Sequence, residues 1–203
     1  MSPKPPIVLV LGALAVASCS GPGPVPTSAP PPVRVVAAGT WTQADVAFMQ
    51  GMIHHHGQAL DMTALVPERS TSASLRTMAA RIEATQLDEI RRMRQWLEVR
   101  GETAPDPAAY RGHAAHEAHM PGMLTPEQMQ RLTAASGTGF DRLFLEYMIQ
   151  HHEGALTMVS ELQSAGGGVE GEVYILASDV DADQRAEIAR MRSMLTVLQR
   201  GSE

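Results

Sequence analysis

The sequence predicts an all-α fold: a four-helix bundle built from two copies of one helical hairpin, with a short extra helix in the connector between them. Three observations carry this. The pattern D-x-x-F-x-x-x-M-I-x-H-H-x-x-A-L-x-M occurs twice, from Asp45 to Met62 and from Asp141 to Met158, with nine of eighteen positions identical. A second pattern recurs after each copy: Gln86, Glu89, Ile90, Arg92, Met93 and Arg94 return as Gln184, Glu187, Ile188, Arg190, Met191 and Arg192. No stretch alternates with a period of two, and aromatic content is only 4%. The repeat therefore works as an alignment inside one chain, and the repeated unit is a whole hairpin. One hairpin cannot cover its own apolar stripe, so two pack together with pseudo-two-fold symmetry.

The N-terminus reads as a secretory signal over residues 1–18, with Lys4 followed by an apolar stretch from Ile7 to Ala17. That stretch is too short to span a bilayer as a helix but suits a signal. It ends in Val16-Ala17-Ser18-Cys19, a lipoprotein-type cleavage site in which Cys19 becomes the lipidated first residue. Cys19 is also the only cysteine, so disulfides are not expected to hold the fold. Residues 19–39 carry Pro at 22, 24, 26, 30, 31 and 32 and read as an extended tether that buries nothing. The expected product is an exported lipoprotein, anchored to a membrane through Cys19 and facing the periplasm or cell exterior.

The folded domain spans 40–203, with the first hairpin at 41–100, the connector at 101–139 and the second hairpin at 140–200. The first helix runs from Asp45 to about Val66, before Pro67. The second starts from a Ser70 or Thr71 cap and runs to Arg100, where Gly101 stops it. In the connector, Thr125-Pro126-Glu127-Gln128 is a capping box with Pro at the first helical position, and it opens a short helix to about Ala135. Gly137 and Gly139 are expected to break it. Phe140–Ser164 then repeats the first helix, Gly166-Gly167-Gly168 forms a turn, and Glu170–Gln199 repeats the second. The net charge of −6 comes without a basic patch, which argues against nucleic-acid binding and favours cations as partners.

At 100° per residue, Asp45, Phe48, Met52, His55, His56, Ala59 and Met62 share an arc of about 120°, the width of a buried face. The third helix repeats the arc with Asp141, Phe144, Met148, His151, His152, Ala155 and Met158. His54 points away from it, and its counterpart is Gln150. On the second and fourth helices, Glu89 and Met93, and Glu187 and Met191, share stripes with Gln86 and Gln184. So many buried polar groups need partners. One solution is a self-satisfied hydrogen-bond network with Met filling gaps. The other is metal coordination by imidazole and thioether, with carboxylates and Gln as ligands or supports. The connector holds the remaining histidines, His113, His116 and His119, followed by Met120 and Met123. This segment reads either as a solvated loop or as a second, more exposed copper or silver site.

These motifs, with the G-M-L-T-P-E-Q run around Gly122, resemble the "domain of unknown function 305" family over about residues 41–199. The resemblance implies a ferritin-like four-helix bundle and kinship with exported copper-binding proteins linked to copper resistance. It implicates His55, His56, His151, His152, Met52 and Met148 in metal binding. Copper, as Cu(I) or Cu(II), is the expected ligand, with iron or zinc as the other candidates, and sequestration needs no catalysis. A ferritin-like di-iron oxidase is the alternative, but the Glu-x-x-His motifs such sites use are absent. A metal-free structural or interaction module of the envelope is the third reading.

Overall fold

The computed structural model describes residues 41–112 and 120–200. The signal, the tether, Cys19 and the connector histidines His113, His116 and His119 lie outside the described residues. Regular structure among the described residues is entirely helical: α1 Gln43–Arg69, α2 Ala73–Val99, a 3-10 segment Pro107–Gly112, α3 Pro126–Ala134, α4 Gly137–Ser164 and α5 Gly171–Arg200.

Each boundary has a local cause. Thr42 caps α1 by accepting the Asp45 N–H, and Asp45 returns the bond to the Thr42 backbone at 2.7 Å, closing a capping box. The helix runs on through Pro67 to Arg69, past the end expected from sequence. Arg76 closes this end by donating to the carbonyls of Pro67 and Ser70, both at 2.9 Å, where a continuing helix would have supplied N–H groups. Ser72, rather than Ser70 or Thr71, caps α2. Gly101, at φ +74°, turns the chain out of α2 so that the Glu102 N–H reaches the Leu97 carbonyl at 2.9 Å. The Thr125 capping box and Pro126 open α3 as expected. Gly137 and Gly139 do not break the chain; they form the first turn of α4, behind a Ser136 cap.

α1 and α4 lie antiparallel at the centre, each paired with its own hairpin partner. The buried hydrophobic residues divide into two clusters. One joins Phe48, Met52 and Ile53 of α1 to Ala155, Met158 and Val159 of α4, with Met93 and Val180 from the outer helices. The other joins Ala59, Met62 and Val66 to Phe140, Phe144 and Met148, with Ile82 and Met191. Each fully buried side chain of this size contributes about 1.5–3 kcal/mol, so the two clusters are the main source of stability. α2 and α5 are joined by Arg92 with Asp179 at 2.9 Å, and the residues flanking them by Arg100 with Glu170 at 3.1 Å.

A buried histidine layer as candidate metal centre

Between the two apolar clusters lies a polar layer. On α1, His55 and His56 fall between Ile53 and Ala59; on α4, His151 and His152 fall between Ile149 and Ala155. The outer helices add Gln86 with Glu89, and Gln184 with Glu187, at the same level. All four histidines and both glutamines are 0% exposed, and Glu89 and Glu187 are nearly so. The equivalent rings of His55 and His151 meet across the layer, with centroids 3.8 Å apart and planes tilted by 36°.

Each ring is oriented by one bond through Nε2. His56 pairs with Glu89 and His152 with Glu187, both at 2.7 Å. His55 Nε2–H donates to the Pro121 carbonyl at 3.0 Å, and His151 Nε2–H donates to the His55 carbonyl at 2.9 Å. A carbonyl can only accept, so the proton of these two rings sits on Nε2. Burial, reinforced by the Coulomb effect of neighbouring His56, lowers the pKa of His55 to about 3. His151 is likewise held well below its ordinary value by burial, with His55 adding to the effect. Both central rings are therefore neutral near pH 7, and Nδ1 carries a lone pair.

That lone pair has no protein partner. The Nδ1 atoms of all four histidines are buried and unbonded, as are both amide atoms of Gln86 and Gln184 and Oε1 of Glu89. An unsatisfied buried polar group costs about 1–3 kcal/mol. Nine such atoms would rival the whole stability of a domain, roughly 5–15 kcal/mol. Within the protein these atoms have no partner, which leaves them to an ordered water or a bound ion. Glu89 and Glu187 also help to raise the carboxyl pKa of Asp183, although burial is the larger cause, so the layer reaches towards the α2–α5 seam.

The residues expected to form one site are sorted by the fold into separate roles. Glu89 and Glu187 orient histidines, as second-layer groups do in metal proteins. The six methionines flank the layer in two trios related by the pseudo-two-fold: Met52, Met93 and Met158 on one side, Met148, Met191 and Met62 on the other. Met52 and Met148 lie three residues from the central histidines, on the same helical face. Asp45 and Asp141 do not join them. Ten residues at 1.5 Å each place them about 15 Å along the helix from His55 and His151. Asp45 is consumed in the α1 cap and by the Gly168 N–H at 2.6 Å. Among the described residues no three His, Cys, Asp or Glu side chains converge as a ready-made site. A metal held here would need thioether ligands beside imidazole, which is the donor set of a soft ion.

Sequence reasoning missed what closes the layer. The connector seals it through the Pro121 carbonyl, and that approach is possible because α4 has Gly154 where α1 has Gln58; a Cβ on Gly154 would strike Pro121. Gly57 similarly admits Pro107. Gln58 secures the connector by exchanging two bonds with the Leu124 backbone, at 2.7 and 3.0 Å. The signal was available in the places where the repeats differ, a small residue opposite a large one. Of the connector thioethers, Met120 packs against the first apolar cluster, its sulfur 3.9 Å from where a Gly51 Cβ would lie, beside Met158. Met123 is half-buried. His54 is also half-buried rather than fully exposed.

The model of the family described as Domain of unknown function (DUF305) matches residues 45–195. The chain belongs to the DUF305 family. A DUF305 fragment from Deinococcus radiodurans is 32% identical, with a TM-score of 0.66, covering 77% of this chain and 97% of that one. A DUF305 protein from Streptomyces coelicolor is 27% identical with the same TM-score, over 77% and 94% of the two chains. CopM in its Cu(II)-bound form is 27% identical with a TM-score of 0.62, over 75% and 95%. CopM is also known in Cu(I)-bound and Ag-bound forms, at 26% and 25% identity. Among curated proteins nothing matches this chain. The all-helical bundle expected from the DUF305 motifs is thus the fold of the family.

Proposed function

We propose that this DUF305 protein binds copper, most favourably Cu(I), in its histidine layer and so sequesters the ion outside the cytoplasm. The observation that carries the reading is the buried layer whose four Nδ1 atoms have no protein partner. Nδ1 of His55 and His151 would be the nitrogen ligands, held by Nε2–H bonds to carbonyls, with Met52 and Met148 supplying thioether. Low-coordinate Cu(I) accepts such a set, whereas a di-iron site needs the Glu-x-x-His motifs that this chain lacks. The CopM structures support copper and silver as the ions to try first. His56 and His152, supported by glutamate, would form an outer pair.

The test is a Cu(I) titration of the full chain against a competing chelator, with Cu(II), Zn(II) and Fe(II) in parallel. Wild type is expected to bind Cu(I) preferentially, and a His55→Ala/His151→Ala variant to lose at least 100-fold in affinity. Equal affinity in the two proteins would overturn the buried site. Loss confined to a His113→Ala/His116→Ala/His119→Ala variant would move the site to the connector.

The same reading places the domain at a membrane through lipidated Cys19, supported by the lipoprotein-type run Val16–Cys19 after an apolar signal. Among the described residues no helix is long and apolar enough to cross a membrane. Cys19→Ser is expected to shift the protein from the membrane fraction to the soluble one; unchanged fractionation would rule out the anchor.

A further inference from the structure

The internal repeat provides its own control for an unexplained feature at the opposite end of the bundle. Asp45 and Asp141 are equivalent positions, yet their surroundings differ. Asp45 receives the Thr42 N–H at 2.7 Å, the Thr42 hydroxyl at 2.9 Å and the Gly168 N–H at 2.6 Å. Asp141 loses both kinds of partner. Its equivalent of Thr42 is Thr138, but α4 begins earlier, behind Ser136, so Thr138 lies inside the helix and no capping box forms. The turn that should cover it also falls short. The α4–α5 turn carries an extra two residues in its Gly166-Gly167-Gly168 run and gives Asp45 the Gly168 N–H, whereas among the described residues the α1–α2 turn donates no hydrogen bond to Asp141. The result is a carboxylate that is only 7% exposed, with Oδ1 buried and unbonded.

This carboxylate lines a cleft of about 280 Å³ between the start of α2, the first turns of α4 and the end of α5. The walls are mainly apolar, with Leu75, Leu145, Met194 and Leu198, and Ser72 adds a hydroxyl. No basic side chain is among the described residues that line it. The volume is near the lower end for small-molecule pockets, roughly 300 Å³, and apolar walls around one fixed polar group are what such pockets have. An anion would be repelled. A metal ion is disfavoured, since one carboxylate is the only strong ligand present. A neutral donor could bond to Asp141 but would leave its charge uncompensated in an apolar setting.

We infer that the Asp141 cleft is a binding site for a small organic cation, a primary alkylammonium whose head replaces the N–H donors that Asp45 has and whose hydrocarbon chain lies along Leu75, Leu145 and Leu198. The site is separate from the histidine layer and does not depend on metal binding. It can be tested with n-hexylammonium, n-hexanol and hexanoate as probes, titrated into the full isotope-labelled chain and read from backbone amide shifts. Hexylammonium is expected to shift the amides of residues 72–75 and 193–198 at concentrations at least ten-fold lower than hexanol, with no saturable effect of hexanoate. Asp141→Asn should remove the preference for the ammonium. Ser193→Phe, on the exposed rim, should block both ligands while leaving the rest of the spectrum unchanged, and keeps the test decisive if Asp141→Asn does not fold. Equal responses to ammonium and alcohol in wild type, shifts elsewhere on the bundle, an undiminished preference in Asp141→Asn, or undiminished binding in Ser193→Phe would each overturn the inference.

Discussion

Replacing His56 with leucine is expected to destabilise the protein by about 3–5 kcal/mol, the usual cost of leaving one member of a buried pair without the other. His56 and Glu89 are 2.7 Å apart, with side chains 0% and 3% exposed, so the Glu89 carboxylate would lose the one hydrogen-bond partner it has among the described residues without gaining water. For a domain of this length, that corresponds to a fall in the melting midpoint of roughly 6–20 °C. The diagnostic result is the double variant. His56→Leu/Glu89→Leu replaces both partners by apolar groups flanked by apolar clusters on either side, and should recover most of the lost stability. Urea unfolding of the four proteins of the cycle measures this. If the double variant is as unstable as His56→Leu alone, the stranded carboxylate is not the cause and packing is. The equivalent His152 and Glu187 pair should behave alike, because its 2.7 Å bond and burial match.

The metal-free protein should begin to lose stability as pH falls below about 6.5. The pKa of His55 is about 3 in the native state and near 6.5 once unfolded, with burial the chief cause. Between those values the unfolded chain binds a proton that the native state refuses, so stability rises with pH. The stability is complete above about pH 6.5 and is lost progressively as pH falls towards 3. His151, depressed for the same reason, adds a second proton over an overlapping range. Each proton contributes up to about 1.4 kcal/mol per pH unit. Urea unfolding in the presence of a chelator at pH 7, 6, 5 and 4 should reveal this slope, and His55→Gln should reduce it by about one proton. An identical slope in that variant would assign the acid sensitivity to other groups. Bound copper should steepen the dependence, because its ligands must remain unprotonated.

Much of this architecture was legible because helical periodicity is a local property. The 100° step placed His55, His56, Met52 and Met62 on one face, and comparison of the copies separated His55-His56 and His151-His152 from His54. The Thr125 capping box was readable for the same reason, since its four residues satisfy one another. Expectations failed where distant groups decide. The end of α1 lies past Pro67, where Arg76, nine residues on, satisfies the Pro67 carbonyl that the ending helix leaves without an N–H. Asp45 looked like part of the metal face because the arc ignores distance along the axis, and its Gly168 partner is 123 residues away.

By itself, the sequence determined the helices, their buried faces, the duplication of the hairpin and the family, all consequences of short-range spacing. Only the tertiary structure decided how the residues of the shared face divide: glutamates onto outer histidines, methionines into two trios, and the central imidazoles face to face at a tilt with Nδ1 unbonded. The physical reason is that antiparallel packing pairs residues from opposite halves of the chain. Met158 thus joins Met52 rather than Met148 of its own motif, and no spacing within one helix records that exchange.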